Sequence, residues 1–203
     1  MGKTVFEDKD IFVYLKEPGE DSEKLKASPV GRLDKPVGGL MLLTKDPKKI
    51  TPLQESFYKI YLAVCAGKIE ESEGEMNDLL LHDRRKNKSF PVKSKRQGVR
   101  DAKLVYKVLS YNEEKDISLV AVRPITGRTH QIRVQFATRK HPLAGDGKYG
   151  SRIKCDVSLF ACKLVYKDTL SGEDKVFFEE TPLQYPWDIF DKGIRDSVRD
   201  LSL

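Results

Sequence analysis

The sequence predicts one α+β domain spanning residues 1–203. Three observations carry that expectation. Apolar runs of strand length alternate with short segments of helical character along the whole chain. Two pairs of alternating segments flank short polar turns, the pattern of β-hairpins. No repeat, low-complexity linker or shift of composition marks an internal boundary, and 203 residues suffice for one good core.

Composition narrows the class. Hydrophobic residues make up 39% and charged residues 33% of the chain, as in a soluble globular protein. No apolar run approaches the roughly twenty residues needed to cross a bilayer. The opening MGKTVFEDKDIFVY has no signal-peptide core, and Phe6 stands where a myristoylation motif needs Ser or Thr. Cys65, Cys155 and Cys162 are odd in number and lack metal-ligand spacing, so they read as reduced, mostly buried thiols. The expectation is a cytoplasmic protein without membrane contact. A net charge of +6 permits a polyanionic partner.

Residues 10–15 form the first strand expected, and 16–28 a polar loop with Pro18 and Gly19. The apolar run 40–43 reads as a buried strand. Asp46 followed by Pro47 is a helix start, capped by Asp, restarted at Thr51-Pro52 and ending near Phe57. Residues 59–66, KIYLAVCA, are a strand. Residues 67–78 are acidic and read as a loop. Residues 102–110 and 116–123 pair as a hairpin. Pro124 to Gly127 turns the chain into a helix over 128–138, entered through Thr126 or Gly127. Residues 157–166 and 175–179 form a second hairpin, turned at Ser171-Gly172. Pro186-Trp187 opens a final amphipathic helix toward Leu201.

Three stretches carry chemistry. The first is 30–46, VGRLDKPVGGLMLLTKD. Arg32 and Asp34, two residues apart, share one side of an extended chain. The pair Gly38-Gly39 permits a tight bend just before the apolar strand. That arrangement presents one carboxylate at the lip of a sheet, although an Asp before a strand is more often a turn residue. The second is 84–100, RRKNKSFPVKSKRQGVR, with eight Lys or Arg and no acid. It reads as an arm that contacts phosphates through Arg84, Arg85 and Lys86, rather than only as a solvated ribbon with lysines on its edges. The third is TGRTHQIR at 126–133, followed by HPLAGDGKYGS at 141–151. The formal GxGxxG at 145–150 does not follow a strand and reads as a structural turn. His82, His130 and His141 lack ligand spacing; His130 is expected to hydrogen-bond in the core or beside the site.

Arg32-Leu33-Asp34, Lys59-x-Tyr61-x-Ala63-x-x-x-Gly67, TGRTHQIR and GD-x-x-YG, in that order, resemble the RluA-like family of RNA pseudouridine synthases. Lys16-Glu17-Pro18-Gly19 resembles that family's early Lys-Pro-x-Gly segment. Gly31 stands where the family has His, and Val37-Gly38-Gly39 where it has Thr-Ser-Gly; Gly-Arg-Leu-Asp with Leu-Leu-Thr is closer to the related RsuA-like branch.

The resemblance implies a large, mostly antiparallel mixed sheet flanked by short helices, with the cleft crossing it and no separate RNA-binding domain. It implies isomerisation of uridine in ribosomal or transfer RNA, a reaction in which no atom is gained or lost. No cofactor and no metal are therefore expected, and no obligate protein partner; the chain is expected to act as a monomer. Asp34 is the expected nucleophile or base. A water-poor pocket disfavours its charged form, and a nearby guanidinium offsets that cost. The resemblance assigns that ion pair to Arg128, with Arg32 or Arg133 as substitutes. Tyr61 would hold the extruded base on its ring and could relay a proton. Arg32 would fill the space the base leaves, and Leu159 would lie under the base. The alternatives are a non-catalytic RNA-binding module with the same fold, and a hydrolase using Asp146 as a second carboxylate.

Overall fold

The computed structural model describes residues 2–168 and 172–203. Its elements are β1 (Lys3–Glu7), β2 (Ile11–Lys16), β3 (Ser28–Pro29), β4 (Gly38–Thr44), α1 (Ile50–Glu55), β5 (Phe57–Ala66), β6 (Glu73–Asp83), β7 (Lys88–Val92), β8 (Val99–Asn112), β9 (Ile117–Pro124), α2 (Gln131–Thr138), β10 (Leu159–Lys167), β11 (Asp174–Phe178) and α3 (Lys192–Asp196). The strands form one sheet in the order β1-β2-β4-β10-β5-β9-β8-β6-β7, with β3 on β4 and β11 on β10. The β4–β10 pairing is parallel and the others are antiparallel. The fold is thus the expected α+β domain with a mixed, mostly antiparallel sheet. No helix of the described residues is long and apolar enough to cross a membrane.

Alternation along β5 and β9 divides the core. Tyr61, Ala63, Val120 and Val122 face α2, where Ile132 and Phe136 pack on them. Ile60, Leu62, Val64, Leu119 and Ala121 face the other way, under Trp187, Phe190 and Val198 from the C-terminal segment. With both faces covered, these central strands read as continuous apolar runs.

The parallel contact is short: Phe160 lies opposite Gly38 and Ala161 opposite Gly39. Gly39 has φ +115°, and a Cβ there would lie 2.5 Å from the backbone of Ala161. Only glycine lets β4 come this close to β10. Further along, β10 pairs with β11 instead. The seam between β4 and β10 is therefore confined to the N-terminal end of β4, directly after residues 31–37, and the two strands part beyond it.

Several expectations need correction. Residues 73–78, expected in a loop, begin β6. Glu73 and Glu75 take its exposed side, and Met76 and Leu80 are buried. The acidic look of the segment is one face of a strand, with Glu75 paired to Lys103 at 2.6 Å. The last helix breaks in three. Phe190 is extended after a 3-10 turn, and Asp191 caps a new start by accepting from the backbone N–H of Gly193 and Ile194. A second 3-10 turn, Ser197–Arg199, follows α3. The helix expected over 128–138 begins only at Gln131, because residues 126–130 form a hook described below. Ser171 of the expected hairpin turn lies outside the described residues; Gly172 has φ +73°.

Candidate active site

The site is built at the seam. Residues 31–37 run from β3 to β4 and are held at both ends by buried lysines. Lys59 on β5 donates to the Gly31 carbonyl at 3.1 Å. Lys16 on β2 donates to the carbonyls of Lys35 at 3.2 Å and Glu17 at 2.9 Å. Between them, the Ser22 hydroxyl donates to the Leu33 carbonyl at 2.8 Å and accepts from its N–H at 3.3 Å. Leu33 itself is buried in the α2-side core. The backbone on both sides of Asp34 is therefore fixed, and its side chain is left 22% exposed.

Arg133, in the first turn of α2, is 3% exposed. Its Nη1 donates to Asp34 Oδ2 at 3.0 Å. Its Nε and Nη2 donate to Asp146 Oδ2 and Oδ1 at 2.6 and 2.9 Å. Asp146 is 1% exposed, so this bidentate pair is almost wholly withdrawn from water. Burial opposes the charge of Arg133. The hydrogen bond and charge of Asp146, with those of Asp34, outweigh it and push its pKa up. One guanidinium thus joins a buried structural carboxylate to an accessible one.

The hook before α2 supplies the next wall. Gln131 Oε1 accepts from Thr126 Oγ1 at 2.8 Å and from the Arg128 N–H at 3.0 Å, and its Nε2 donates to the Lys103 carbonyl at 3.0 Å. These bonds curl 126–130 away from helical geometry and leave His130 left-handed at φ +56°. His130 Nδ1 lies 2.9 Å from the Tyr149 hydroxyl, and its Nε2 lies 3.9 Å from Asp34 Oδ2. The same hydroxyl accepts from the Ser89 N–H at 2.9 Å. This hydroxyl also lies 3.4 Å from the Ser89 carbonyl, so its proton has two acceptors within reach, Ser89 O and His130 Nδ1. Burial lowers the His130 pKa to about 4 against the pull of Asp34, so the ring is neutral at neutral pH.

Tyr61, Leu33 and Leu159 share the apolar cluster that floors this face. Leu159 lies opposite Ala63 in the β10–β5 register. The Tyr61 hydroxyl makes no hydrogen bond among the described residues and is not among their buried unpaired atoms, so it reaches the cleft. Burial, with the charge of Asp34, pushes its pKa up and keeps it a phenol. The Lys59 ammonium lies 5.8 Å from the Tyr61 ring centroid, and burial lowers its pKa to about 7.

Of the residues expected from sequence, Asp34, Tyr61 and Leu159 line the same face of the seam. Arg128 does not pair with Asp34. Its Nε donates to the Asp101 carbonyl at 2.8 Å, on an exposed turn; Arg133 makes the pair instead. The late start of α2 explains the exchange, since it turns Arg133 inward and leaves Arg128 in the hook. Arg32 is 60% exposed and pairs with Glu23. Arg84, Arg85 and Lys86 are exposed at the β6–β7 hairpin tip, where Asp83 Oδ1 caps the N–H groups of Arg85 and Lys86. Asp146 is bound to Arg133 and buried, not free for chemistry. Among the described residues no three His, Cys, Asp or Glu converge as a metal site. Sequence reasoning missed the roles of Asp146, Tyr149, Lys59 and Ser22. For Lys59 a signal existed: it is a lone cation in an otherwise apolar run.

Residues 7–138 match the family described as RNA pseudouridylate synthase. The chain is 30% identical over 174 residues to the ribosomal large subunit pseudouridine synthase D of Borreliella burgdorferi, covering 81% of this chain and 52% of that protein. It is 34% identical over 160 residues to an uncharacterized RNA pseudouridine synthase of Zymomonas mobilis, covering 76% and 72%. It is 32% identical over 187 residues to the tRNA pseudouridine(31) synthase of Saccharomyces cerevisiae, covering 73% and 46%. The chain spans about half the length of the first and third of these. In fold it is similar to human RNA pseudouridylate synthase domain containing 1, with TM-score 0.76 and 21% identity over 93% of this chain and 87% of that one.

Proposed function

The chain belongs to the RNA pseudouridylate synthase family, and we propose that it isomerises specific uridines to pseudouridine in ribosomal or transfer RNA, with Asp34 as the reacting carboxylate. The observation that carries this reading is the partly exposed Asp34 held at 3.0 Å by a buried guanidinium, beside the Tyr61 ring. Relatives named for the large ribosomal subunit and for a tRNA position support the substrate class.

The reaction breaks the bond between ribose C1′ and uracil N1, turns the base, and joins C1′ to C5. The proton on C5 is lost and N1 gains one, so atoms and electrons balance within the nucleotide. No redox step occurs, and none of the roles below requires a cofactor. Arg133 fixes the Asp34 carboxylate in place through its Nη1 hydrogen bond. Tyr61 and Leu159 offer an aromatic face and an apolar floor to the base. Unstacking the target costs a few kcal/mol, which Arg32 offsets by occupying the vacated place. The neutral His130 ring, with Nε2 3.9 Å from Asp34 Oδ2, sits where it can follow a change at that carboxylate. Arg84, Arg85 and Lys86 at the hairpin tip supply phosphate contacts.

The test is a comparison of pseudouridine positions in total RNA from cells with and without the gene, followed by tritium release from 5-labelled uridine in the RNA so identified. Positions lost with the gene and restored by purified protein confirm the reading. RNA binding without any isomerisation would make the chain a binding module.

A further inference from the structure

A second concavity lies against the hook, beside Gly127, Arg128 and Thr129. It is a recess of about 220 Å³ lined by Leu80, His82, Ser89, Gly98, Arg100 and Arg128. At roughly 30 Å³ per water it has room for about seven, enough for a phosphodiester and part of its ribose.

Its chemistry is one-sided. No carboxylate lines it. Arg100 and Arg128 make no ion pair among the described residues. Arg128 is aimed by its Nε, which donates to the Asp101 carbonyl, and its Nη groups make no hydrogen bond among the described residues. The Asp101 carboxylate is taken by Lys95 at 3.1 Å. His82 Nδ1 is 3.3 Å from Ser89 Oγ, whose own proton goes to the Thr129 carbonyl at 2.6 Å. His82 Nδ1 then donates to Ser89 and its Nε2 is an acceptor, suited to a ribose hydroxyl and not to the phosphate itself.

The recess is also wired to the reacting centre. His82 meets His130 edge to face, with ring centroids 6.4 Å apart. Ser89 bonds both Thr129 and Tyr149, the two neighbours of His130 in the hook and its wall. We propose that this recess seats one backbone phosphate of the RNA strand, next to the nucleotide at Asp34, between Arg100 and Arg128. The assignment rests on the RNA substrate argued above and gives Arg128 a role in place of the ion pair it does not make. Two guanidinium groups on one phosphate favour an oxyanion over any neutral group.

The experiment uses the whole chain and a single-stranded oligouridylate, with affinity measured by fluorescence anisotropy across a salt series. Both arginines are exposed, so Arg100→Gln and Arg128→Gln should keep the wild-type circular dichroism and melting. Each should weaken binding about tenfold. In the double variant the logarithmic salt slope should fall by about 0.7, one phosphate on a single strand, not by about twice that. An unchanged slope, a fall of about 1.4, or no wild-type binding to the oligouridylate would each overturn the shared phosphate seat. Oligomers with one methylphosphonate at successive positions give the second reading. One position should weaken the wild type and leave the double variant indifferent; indifference of the wild type at every position would refute the seat. Tritium release from the unmodified RNA, labelled at uridine C5, separates this from the isomerase assignment. Turnover with an unchanged slope refutes the recess alone, and a lowered slope without any turnover refutes the isomerase alone.

Discussion

Arg133 Nη1 and Asp34 Oδ2 stand 3.0 Å apart across 99 residues of sequence, while the other edge of the same guanidinium is locked on Asp146. The Asp34 carboxylate therefore meets a cation that cannot swing away from it. Because the Asp146 side of the pair is buried, its attraction is little screened by salt.

Arg133→Lys keeps a charge but loses the planar fork that serves two carboxylates at once. Turnover should fall on the order of 10²-fold or more, with KM for RNA little changed. Arg128→Lys should act in the opposite sense, raising KM and sparing kcat. Steady-state kinetics on the two variants decide the assignment; a kcat loss in Arg128→Lys alone would return the ion pair to Arg128.

Asp146→Asn retains shape and one acceptor but leaves a buried guanidinium with half its partner. Breaking a buried pair costs about 3 kcal/mol at the low end, which at this size lowers Tm by roughly 6–12 °C. Residual turnover at a temperature where the variant is folded marks Asp146 as a structural brace. A variant as stable as the parent and wholly inactive would instead place Asp146 in the chemistry, as a hydrolase would need.

Lys59 gives a pH signature. Its pKa falls from an ordinary 10.5 to about 7 in the folded chain, through burial. Between those values the unfolded chain binds more protons than the folded one, so stability rises with pH. Below about 7 both states are charged and the burial cost is fully present. Lys59→Met should therefore melt above the parent at pH 6, by about 2–4 °C for each kcal/mol relieved, and lose that advantage by pH 10. Because Lys59 also holds the Gly31 carbonyl, the stabilised variant should turn over more slowly. Melting curves of both proteins from pH 6 to 10 provide the check; a constant difference would mean that Lys59 titrates normally.

How much of this was legible in the sequence depends on the distance over which each feature is decided. The strands over 40–43 and 59–66 were readable because burial on both faces makes an unbroken apolar run. The hairpin of β8 and β9 was readable from local alternation and its turn. Asp34 and Tyr61 were proposed through short motifs that keep their neighbours in sequence, and the structure sets both on one face of the seam. The Arg133 pairing was not legible, because it depends on where α2 begins. That start is set by Gln131 bonds to Thr126, Arg128 and Lys103, and the last of these lies on another strand. For β6, acidic residues masked an alternation that only pairing with β8 makes meaningful.

The reacting role of Asp34 admits a direct test. Asp34→Asn is nearly isosteric and cannot ionise, so the loop 31–37 should keep its bonds to Lys59, Ser22 and Lys16, all of which reach backbone atoms. Removing a carboxylate from a partly dry cleft is favourable; taking one charge partner from Arg133 is not. Asp146 still satisfies the other edge, so the net change in stability should stay within about 1–2 kcal/mol of either sign. RNA affinity should survive, since phosphate contacts supply most of it and repulsion from Asp34 is relieved. The expected protein is folded, binds RNA and releases no tritium from 5-labelled uridine. Filter binding, melting and tritium release on one preparation distinguish the outcomes. Substantial release by Asp34→Asn would sink the assignment of Asp34. A variant that lost activity and folding together would show that Asp34 is needed as a turn residue, and Asp34→Glu would then decide: a turn role predicts refusal to fold again, whereas a reacting carboxylate predicts a folded protein with misplaced, slow chemistry.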